Sequence, residues 1–254
     1  MALNIDIKTQ DGDCDVFIAH PEGNGPYPAV LFLMDAFGLR DYLYAMAKEI
    51  ASHGYYVLLP NLFYRVRRSP MVDLKFPIRP EDMPEAAKQL MPLFQSYNPE
   101  FGIRDTAVFL DFLAQQKQVL PGKIGVTGYC MGGGLAIRAA AAYPDRIAAA
   151  ASFHAGNLAT DTPNSPHLLL SQIKAQVYIA HADNDKNMPP EQIERLRKAL
   201  DQAGLRYEAE LYSGAAHGFT MADLPAYNGV ALKRHWNKLF DLFNRTLGNV
   251  KTPA

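Results

Sequence analysis

Residues 123–134 read KIGVTGYCMGGG, from Lys123 to Gly134. The first five residues have the apolar and β-branched character of a short strand, and residues 131–142 have the small, apolar character of a packed helix. Cys130 therefore stands where a strand passes directly into a helix. A nucleophile at such a junction lies on a sharp, strained turn with its side chain exposed above the sheet. The segment predicts an α/β protein in which Cys130 is the reactive residue.

Glycines surround Cys130 at the positions that a sharp turn crowds. Gly128 and Gly132 lie two residues before and two residues after it, and any Cβ there would clash. Gly133 and Gly134 would let the helix pack closely on the sheet. The alternative is that Cys130 is a buried structural cysteine, since free cysteines are often buried.

The predicted helix that begins after Cys130 would stabilise a negative charge on its sulfur. Its N-terminus carries a partial positive charge, which favours a thiolate. The backbone N–H of Met131 would point at an oxyanion that develops beside the sulfur. Cys14 lies on a predicted hairpin without such surroundings, so we expect it to be inert.

The rest of the chain alternates apolar runs with helical patterns, as a mostly parallel sheet requires. Alternating polarity predicts an N-terminal hairpin over residues 3–8 and 15–19, with the turn at 11–13. Further strands are predicted at 28–34, 55–59, 123–127, 147–153, 176–181 and 207–212. Helices are predicted at 41–53, 131–142, 190–203 and 228–246, with two more within 81–117, broken near Asn98 and Pro99. The fold class is α/β, with a mostly parallel sheet of about eight strands and helices on both faces. A single domain is expected over residues 1–254, with a long loop at 61–80 and a frayed tail at 251–254.

Composition excludes several classes of protein. The net charge of −1 argues against nucleic acid or an anionic membrane as a partner. The chain contains no apolar run of about 18 residues, which a membrane-spanning helix would need. Only two cysteines are present, and acidic residues stand where a signal peptide would be apolar. These features predict a cytoplasmic protein with free thiols.

A base for the nucleophile is predicted at His217. In enzymes with this nucleophile turn, an acid and then a histidine follow the nucleophile along the chain. His217 comes just after the last predicted strand, among small residues that leave room for the imidazole. His154 and His181 also follow strands and are rival candidates.

The acid is expected after the predicted strand 176–181, where Asp183 and Asp185 both qualify. A carboxylate there would accept the Nδ1 proton of His217 and hold its tautomer. Either aspartate would alternatively cap a helix or face solvent. Both aspartates with His154 and His181 also form a possible metal cluster, but their spacing lacks a helical pair of ligands. No metal and no cofactor are expected.

The sequence at these positions resembles the dienelactone hydrolase family of α/β-hydrolases. The segment GYCMGG looks like the nucleophile motif of that family, in which cysteine replaces serine. Asp185, four residues before Pro189, matches the acid position of the family, so Asp183 becomes the second choice. His217, in the sequence HGF, matches the family histidine. The resemblance covers nearly the whole chain.

The resemblance also gives a role to the residues after the first buried strand. In the family a glutamate there contacts the resting nucleophile and gates its ionisation. The matching residue here is Asp35, which is one methylene shorter. The backbone N–H of Ala36 matches the second oxyanion donor. The alternative for Asp35 is a turn residue that caps the following helix.

Substrate-binding residues are expected in the loops that follow the strands. Tyr64 and Arg65 would present an aromatic wall and a guanidinium fork to a planar carboxylate, and Arg40 would help from the other side. Phe37 and Tyr129 are further candidates for substrate binding.

These residues predict a hydrolase that cleaves an ester or lactone through a thioester on Cys130. The resemblance implies an unsaturated lactone with a carboxylate as the substrate. One alternative is a broader carboxylesterase or thioesterase with the same residues. Others are a thiol redox or peroxide-sensing protein that uses Cys130 alone, and a binding scaffold without catalysis. The small-molecule substrate is the expected partner, and the protein is expected to be a monomer or a homodimer.

Overall fold

The computed structural model describes residues 1–248, which are built around one eight-stranded sheet. The strands are β1 (Ala2–Thr9), β2 (Gly12–Ala19), β3 (Ala29–Leu33), β4 (Tyr56–Pro60), β5 (Ile124–Tyr129), β6 (Ile147–Phe153), β7 (Gln176–Asn184) and β8 (Tyr207–Ala216). Their order in the sheet is β1-β2-β4-β3-β5-β6-β7-β8. The pairs β1–β2 and β2–β4 are antiparallel, and every pair from β4 to β8 is parallel. The predicted mostly parallel sheet is confirmed.

Helices cover both faces of this sheet. The α-helices are α1 (Asp41–Ser52), α2 (Met83–Ser96), α3 (Pro99–Ala114), α4 (Met131–Ala142), α5 (Pro190–Ala203) and α6 (Gly229–Leu247), and short 3₁₀ helices cover Pro80–Asp82 and Pro166–Gln172. Helix α4 packs on β5 and β6 from one side, and α6 packs on the same strands from the other. On the α6 side His53, at the end of α1, stacks on Phe240 with ring centroids 3.7 Å apart.

The predicted elements agree closely with those in the structure because the central strands are continuous apolar runs. Every residue of β3, β4 and β5 is buried, as expected for strands covered on both faces. The break near Asn98 separates α2 from α3, and residues 61–79 contain no helix or strand. The predicted hairpin turn is shifted, since Thr9 pairs with Gly12 and the turn is therefore at residues 10 and 11. The predicted tail at 251–254 lies outside the described residues.

The parallel strands bring distant parts of the chain to one edge of the sheet. Their carboxyl ends lead directly into Cys130 after β5, His154 after β6, Asp185 after β7 and His217 after β8. Asp35 follows β3 by two residues. Since parallel strands end at the same edge, these side chains meet in one region. None of the helices within residues 1–248 is long and apolar enough to cross a membrane.

Candidate active site

Cys130 sits on a strained turn between β5 and α4. Its backbone has φ 54° and ψ −119°, a conformation that costs a non-glycine residue about 1–3 kcal/mol. Its N–H donates to the Phe153 carbonyl at 3.0 Å, which ties the turn to β6. A Cβ at Gly128 would lie 2.0 Å from the carbonyl oxygen of Gly132, and a Cβ at Gly132 would lie 2.4 Å from that of Leu33. The turn therefore requires glycine at both positions.

The two glycines further along α4 differ from each other. A Cβ at Gly133 would lie 2.8 Å from the Ser152 hydroxyl, so this glycine does let the helix pack closely on the sheet. At Gly134 the nearest atom, on Leu158, would be 4.0 Å away. The prediction of close packing through Gly134 is wrong, because this residue faces an open cleft instead of the sheet.

The structure places Cys130, His217 and Asp185 in one hydrogen-bonded chain. The Nε2 atom of His217 lies 3.1 Å from the Sγ atom of Cys130. Its Nδ1 atom lies 2.6 Å from an Oδ2 oxygen of Asp185. The other carboxylate oxygen of Asp185 accepts the N–H of Asn187 at 2.9 Å, which fixes the carboxylate on the turn before α5. This geometry can orient an imidazole toward a nucleophilic sulfur.

The charge state of His217 is set by these two neighbours. Burial alone would disfavour the imidazolium, but Cys130 and the hydrogen bond to Asp185 outweigh it and raise the pKa of His217 to about 10. A protonated imidazole 3.1 Å from Sγ is a strong stabiliser of a thiolate.

The rival residues occupy other positions. Asp183 is exposed, and its Oδ2 accepts the Gly214 N–H at 2.9 Å, so it supports β8 and does not contact His217. His154 lines the cleft, but its Nε2 pairs with the Thr220 hydroxyl at 2.7 Å. His181 is buried beside the strand ends and does not line the cleft. Among residues 1–248 no group of three or more His, Cys, Asp or Glu side chains is arranged to hold a metal ion.

Two residues that line the cleft with Cys130 have backbone N–H groups without an acceptor among residues 1–248. Ala36 follows β3, Met131 begins α4, and both line the cleft together with Cys130. Within residues 1–248 neither N–H donates to a backbone or side-chain acceptor. These are the two residues predicted to be oxyanion donors, and that role stays a prediction.

Asp35 lines the cleft with Cys130, but within residues 1–248 its carboxylate forms no hydrogen bond to the thiol. Its carboxylate receives two hydrogen bonds from Arg40, at 2.6 and 2.9 Å, and one from the Phe37 N–H at 3.0 Å. The partner of Cys130 is His217 instead. Asp35 is therefore a turn residue held by an ion pair, and it does not cap α1, whose N-cap residue is Arg40.

Arg40 cannot serve as the predicted substrate-binding residue. It is buried, and its five N–H donors all have acceptors: two oxygens of Asp35, two of Asp223 and the carbonyl of Gly38. No donor remains for a substrate. The prediction fails because the sequence does not show that Asp223, far along the chain, closes the other side of the guanidinium.

The predictions for Tyr64, Arg65 and Tyr129 are also wrong, since none of the three lines the cleft. Arg65 forms a bidentate ion pair with Asp105 at 2.7 and 2.8 Å and also pairs with Asp11. Tyr64 shares its hydroxyl with Thr9 and Asp105. Tyr129 is fully buried, with its hydroxyl 2.8 Å from Nε2 of His235. Phe37 does line the cleft.

Cys14 is buried within the sheet. Its Sγ donates to the Asn61 carbonyl at 3.4 Å, and burial strongly raises the pKa of its thiol. It does not line the cleft that contains Cys130. The sequence predicted an unreactive thiol at this position. A buried thiol with a raised pKa is expected to be unreactive.

The cleft above Cys130 has a volume of about 680 Å³, and sequence reasoning missed most of its walls. Helix α2 contributes an apolar stripe, and the far wall comes from the segment before α6. The lining residues not predicted include Met83, Ala87, Leu90, Phe94, Leu135, Leu224 and Pro225. The spacing of the apolar residues in α2 predicted a helix face, but it gave no sign that this face covers a cavity.

Two polar residues in the walls were also missed. Tyr97 follows α2, and Arg138 lies on α4, two turns after the nucleophile. In the sequence Arg138 is one cation in a helix of small residues, and Tyr97 precedes a helix start. Neither carries a motif, so only the fold brings them to the cleft.

The strand order and the hydrogen-bonded residues at the strand ends define an α/β-hydrolase. The protein-family model "Dienelactone hydrolase family" matches residues 14–247, and the chain therefore belongs to the dienelactone hydrolase family. It is a hydrolase that acts on ester or lactone bonds.

The chain is similar over nearly its full length to individual relatives. It is 25% identical over 255 residues to a Synechocystis protein named "Putative carboxymethylenebutenolidase", with 96% of this chain and all of the relative covered. A Yersinia pestis protein of the same name is 25% identical, with 94% of this chain and 86% of the relative covered. A solved Klebsiella pneumoniae structure described as a "Putative Dienelactone Hydrolase" has a TM-score of 0.83 at 21% identity, covering 96% of this chain and 98% of that one.

Proposed function

We propose that this protein hydrolyses esters or lactones through a Cys130–His217–Asp185 triad and a thioester intermediate on Cys130. The observation that carries the proposal is the hydrogen-bonded chain from Sγ of Cys130 through both nitrogens of His217 to Asp185, at 3.1 and 2.6 Å. Cys130 and His217 line the cleft, and so do Ala36 and Met131, whose N–H groups have no acceptor among residues 1–248.

Acylation begins with the thiolate of Cys130 and the imidazolium of His217. The thiolate attacks the carbonyl carbon, and the resulting oxyanion accepts hydrogen bonds from the N–H groups of Ala36 and Met131. When the tetrahedral intermediate collapses, the bond to the alcohol oxygen breaks. The leaving oxygen takes the proton from Nε2 of His217, and the acyl group remains on sulfur as a thioester.

Deacylation uses the neutral His217 that acylation leaves behind. Nε2 takes a proton from a water molecule, whose oxygen attacks the thioester carbonyl. Collapse of this second intermediate breaks the carbon–sulfur bond and restores the thiolate beside the imidazolium. Asp185 holds the proton on Nδ1 throughout, so that Nε2 always faces the sulfur.

The apolar walls of the cleft favour esters with extended apolar groups over compact lactones. The side chains predicted to bind a small carboxylate, Arg40 and Arg65, are both occupied by aspartates. Apolar side chains of α2 and α4 line the volume above the sulfur. A cleft of this shape suits an acyl or alcohol group with an extended apolar part.

The test uses the two cysteines as a matched pair. Iodoacetamide at neutral pH should alkylate Cys130 much faster than Cys14 and abolish hydrolysis of p-nitrophenyl acetate in step with labelling. Cys130→Ala should lose at least about a hundredfold in kcat/KM, whereas Cys14→Ala should retain activity. Intact-mass spectrometry during turnover of a slow activated ester should show an acyl adduct on Cys130. Full activity in Cys130→Ala would exclude the proposed nucleophile.

A further inference from the structure

Arg138 differs from the other arginines near the sheet edge because it faces the cleft without a carboxylate partner. It is the only lysine or arginine among the residues of the described chain that line the cleft. Its Nη2 donates to the Asn164 carbonyl, but no Asp or Glu in residues 1–248 lies within ion-pair distance of it. Burial lowers the pKa of Arg138, and the Tyr97 phenol opposes this shift.

Its position relative to the nucleophile is set by α4. Met131, Gly134, Leu135 and Arg138 are spaced as one face of a helix, and all four line the cleft. A rise of 1.5 Å per residue places Arg138 roughly 10 Å along the axis from Met131. Long helical side chains lean back toward the N-terminus of their helix, which is the end of α4 that follows Cys130. Leu135 and Leu90 add apolar surface to the same cleft.

Tyr97 supplies a second polar group on the same wall. It lines the cleft, and its pKa is raised by burial, with Arg138 opposing the rise and Cys130 adding to it. The phenol therefore lies within electrostatic reach of both the arginine and the nucleophile. Its hydroxyl makes no hydrogen bond to another side chain or backbone group among residues 1–248.

We propose that Arg138 and Tyr97 bind a carboxylate at the far end of an extended apolar arm of the substrate. The guanidinium would form charge-assisted hydrogen bonds to the acid group while the carbonyl lies at Cys130. The substrate class is then an ester or lactone whose reacting carbonyl and free carboxylate are separated by a flexible apolar spacer. The inference rests on the proposed function, and it names the substrate of that site.

The experiment compares esters that differ only in a terminal carboxylate. On the acyl side, mono-p-nitrophenyl suberate is paired with p-nitrophenyl octanoate, and mono-p-nitrophenyl succinate tests a spacer too short to reach. On the alcohol side, the acetate ester of ω-hydroxyoctanoate is paired with octyl acetate. The wild type should show a kcat/KM roughly tenfold or more higher for the acid of one long pair than for its neutral match. It should show no such preference for the succinate ester over a neutral p-nitrophenyl ester of the same chain length.

Variants of the two proposed residues test whether the preference for the acid substrate arises in the cleft. Arg138→Gln should reduce the acid-to-neutral ratio of kcat/KM to about one, Tyr97→Phe should reduce it in part, and Arg138→Lys should retain some of it. Arg146→Gln is the matched control, because Arg146 is half-buried like Arg138, pairs with Asp111 and lies outside the cleft. The ratio should also fall as ionic strength rises.

The outcomes separate this inference from the function on which it depends. If the wild type hydrolyses the neutral esters but shows no preference in either long pair, the inference is overturned and the proposed hydrolase activity stands. If the preference persists in Arg138→Gln, the acid is bound elsewhere. If no ester in the set is hydrolysed, the proposed function itself fails.

Discussion

Cys130 combines a strained backbone with a side chain that has a histidine partner, and the two features depend on each other. The backbone of the turn has φ 54° at Cys130, and with this conformation Sγ lies 3.1 Å from Nε2 of His217. A conformation that costs folding energy persists where its surroundings hold it. Here Gly128 and Gly132 provide the space and the Phe153 carbonyl provides the anchor.

Asp185 and Asp183 are two residues apart, but only the first should matter for catalysis. Asp185→Asn should lower kcat/KM for ester hydrolysis by about a hundredfold or more, because an amide at that position favours the wrong tautomer of His217. Asp183→Asn changes a carboxylate that accepts the Gly214 N–H, and its activity should stay within about twofold. Steady-state kinetics on both variants measures the difference, and the reverse ranking would move the acid role to Asp183.

At the scale of elements, Arg40 joins the loop after β3 to the segment before α6. It pairs with Asp35 on one side and Asp223 on the other, at 2.6 Å in each case. The first loop carries the Ala36 N–H, and the second leads into Leu224 and Pro225 in the cleft wall. A buried ion pair of this kind fixes two loops relative to each other.

Loss of Arg40 should therefore leave two buried carboxylates without a cation to balance their charge. Arg40→Leu should lower the free energy of unfolding by about 3–5 kcal/mol in urea titrations. Arg197→Gln, which removes an exposed pair with Glu194, should have almost no effect. Adding Asp35→Asn and Asp223→Asn to Arg40→Leu should restore part of the lost stability, and no recovery would mean that packing, not charge, causes the loss.

At the scale of the whole molecule, three buried histidines make stability depend on pH. Burial lowers the pKa of His235 to about 3 and that of His181 to about 4, and it holds the pKa of His154 well below 6.5. Above about pH 6.5 these groups are neutral in both folded and unfolded chains. As the pH falls below that value, the unfolded chain binds protons that the folded protein does not, and stability is lost.

Up to three such protons correspond to a loss of about 4 kcal/mol per pH unit between about pH 6 and pH 5. Urea unfolding at several pH values measures this slope. His181→Leu should reduce it by about one third. His217 acts in the opposite direction, since its raised pKa adds stability below about pH 6.5 that declines as the pH passes about 10. An equal slope in wild type and His181→Leu would show that His181 is not neutral when buried.

The sequence alone was enough to predict the sheet, the turn at Cys130 and the order of the triad candidates. These features depend on local chemistry: β-branched runs form buried strands, glycine alone fits beside a sharp turn, and parallel strands end at one edge. His217 directly follows a predicted strand and could therefore be placed without knowing any side-chain contact, whereas the choice of Asp185 over Asp183 came from the family resemblance.

Only the tertiary structure decided which charged residues are available to a substrate. Arg40, Arg65 and Arg138 look alike in sequence, but Asp223 and Asp105 occupy the first two and leave the third facing the cleft. Such pairs join residues far apart in the chain, for example 183 positions in the case of Arg40 and Asp223. A side chain's partners follow from how elements pack, and packing at that distance leaves no local pattern in the sequence.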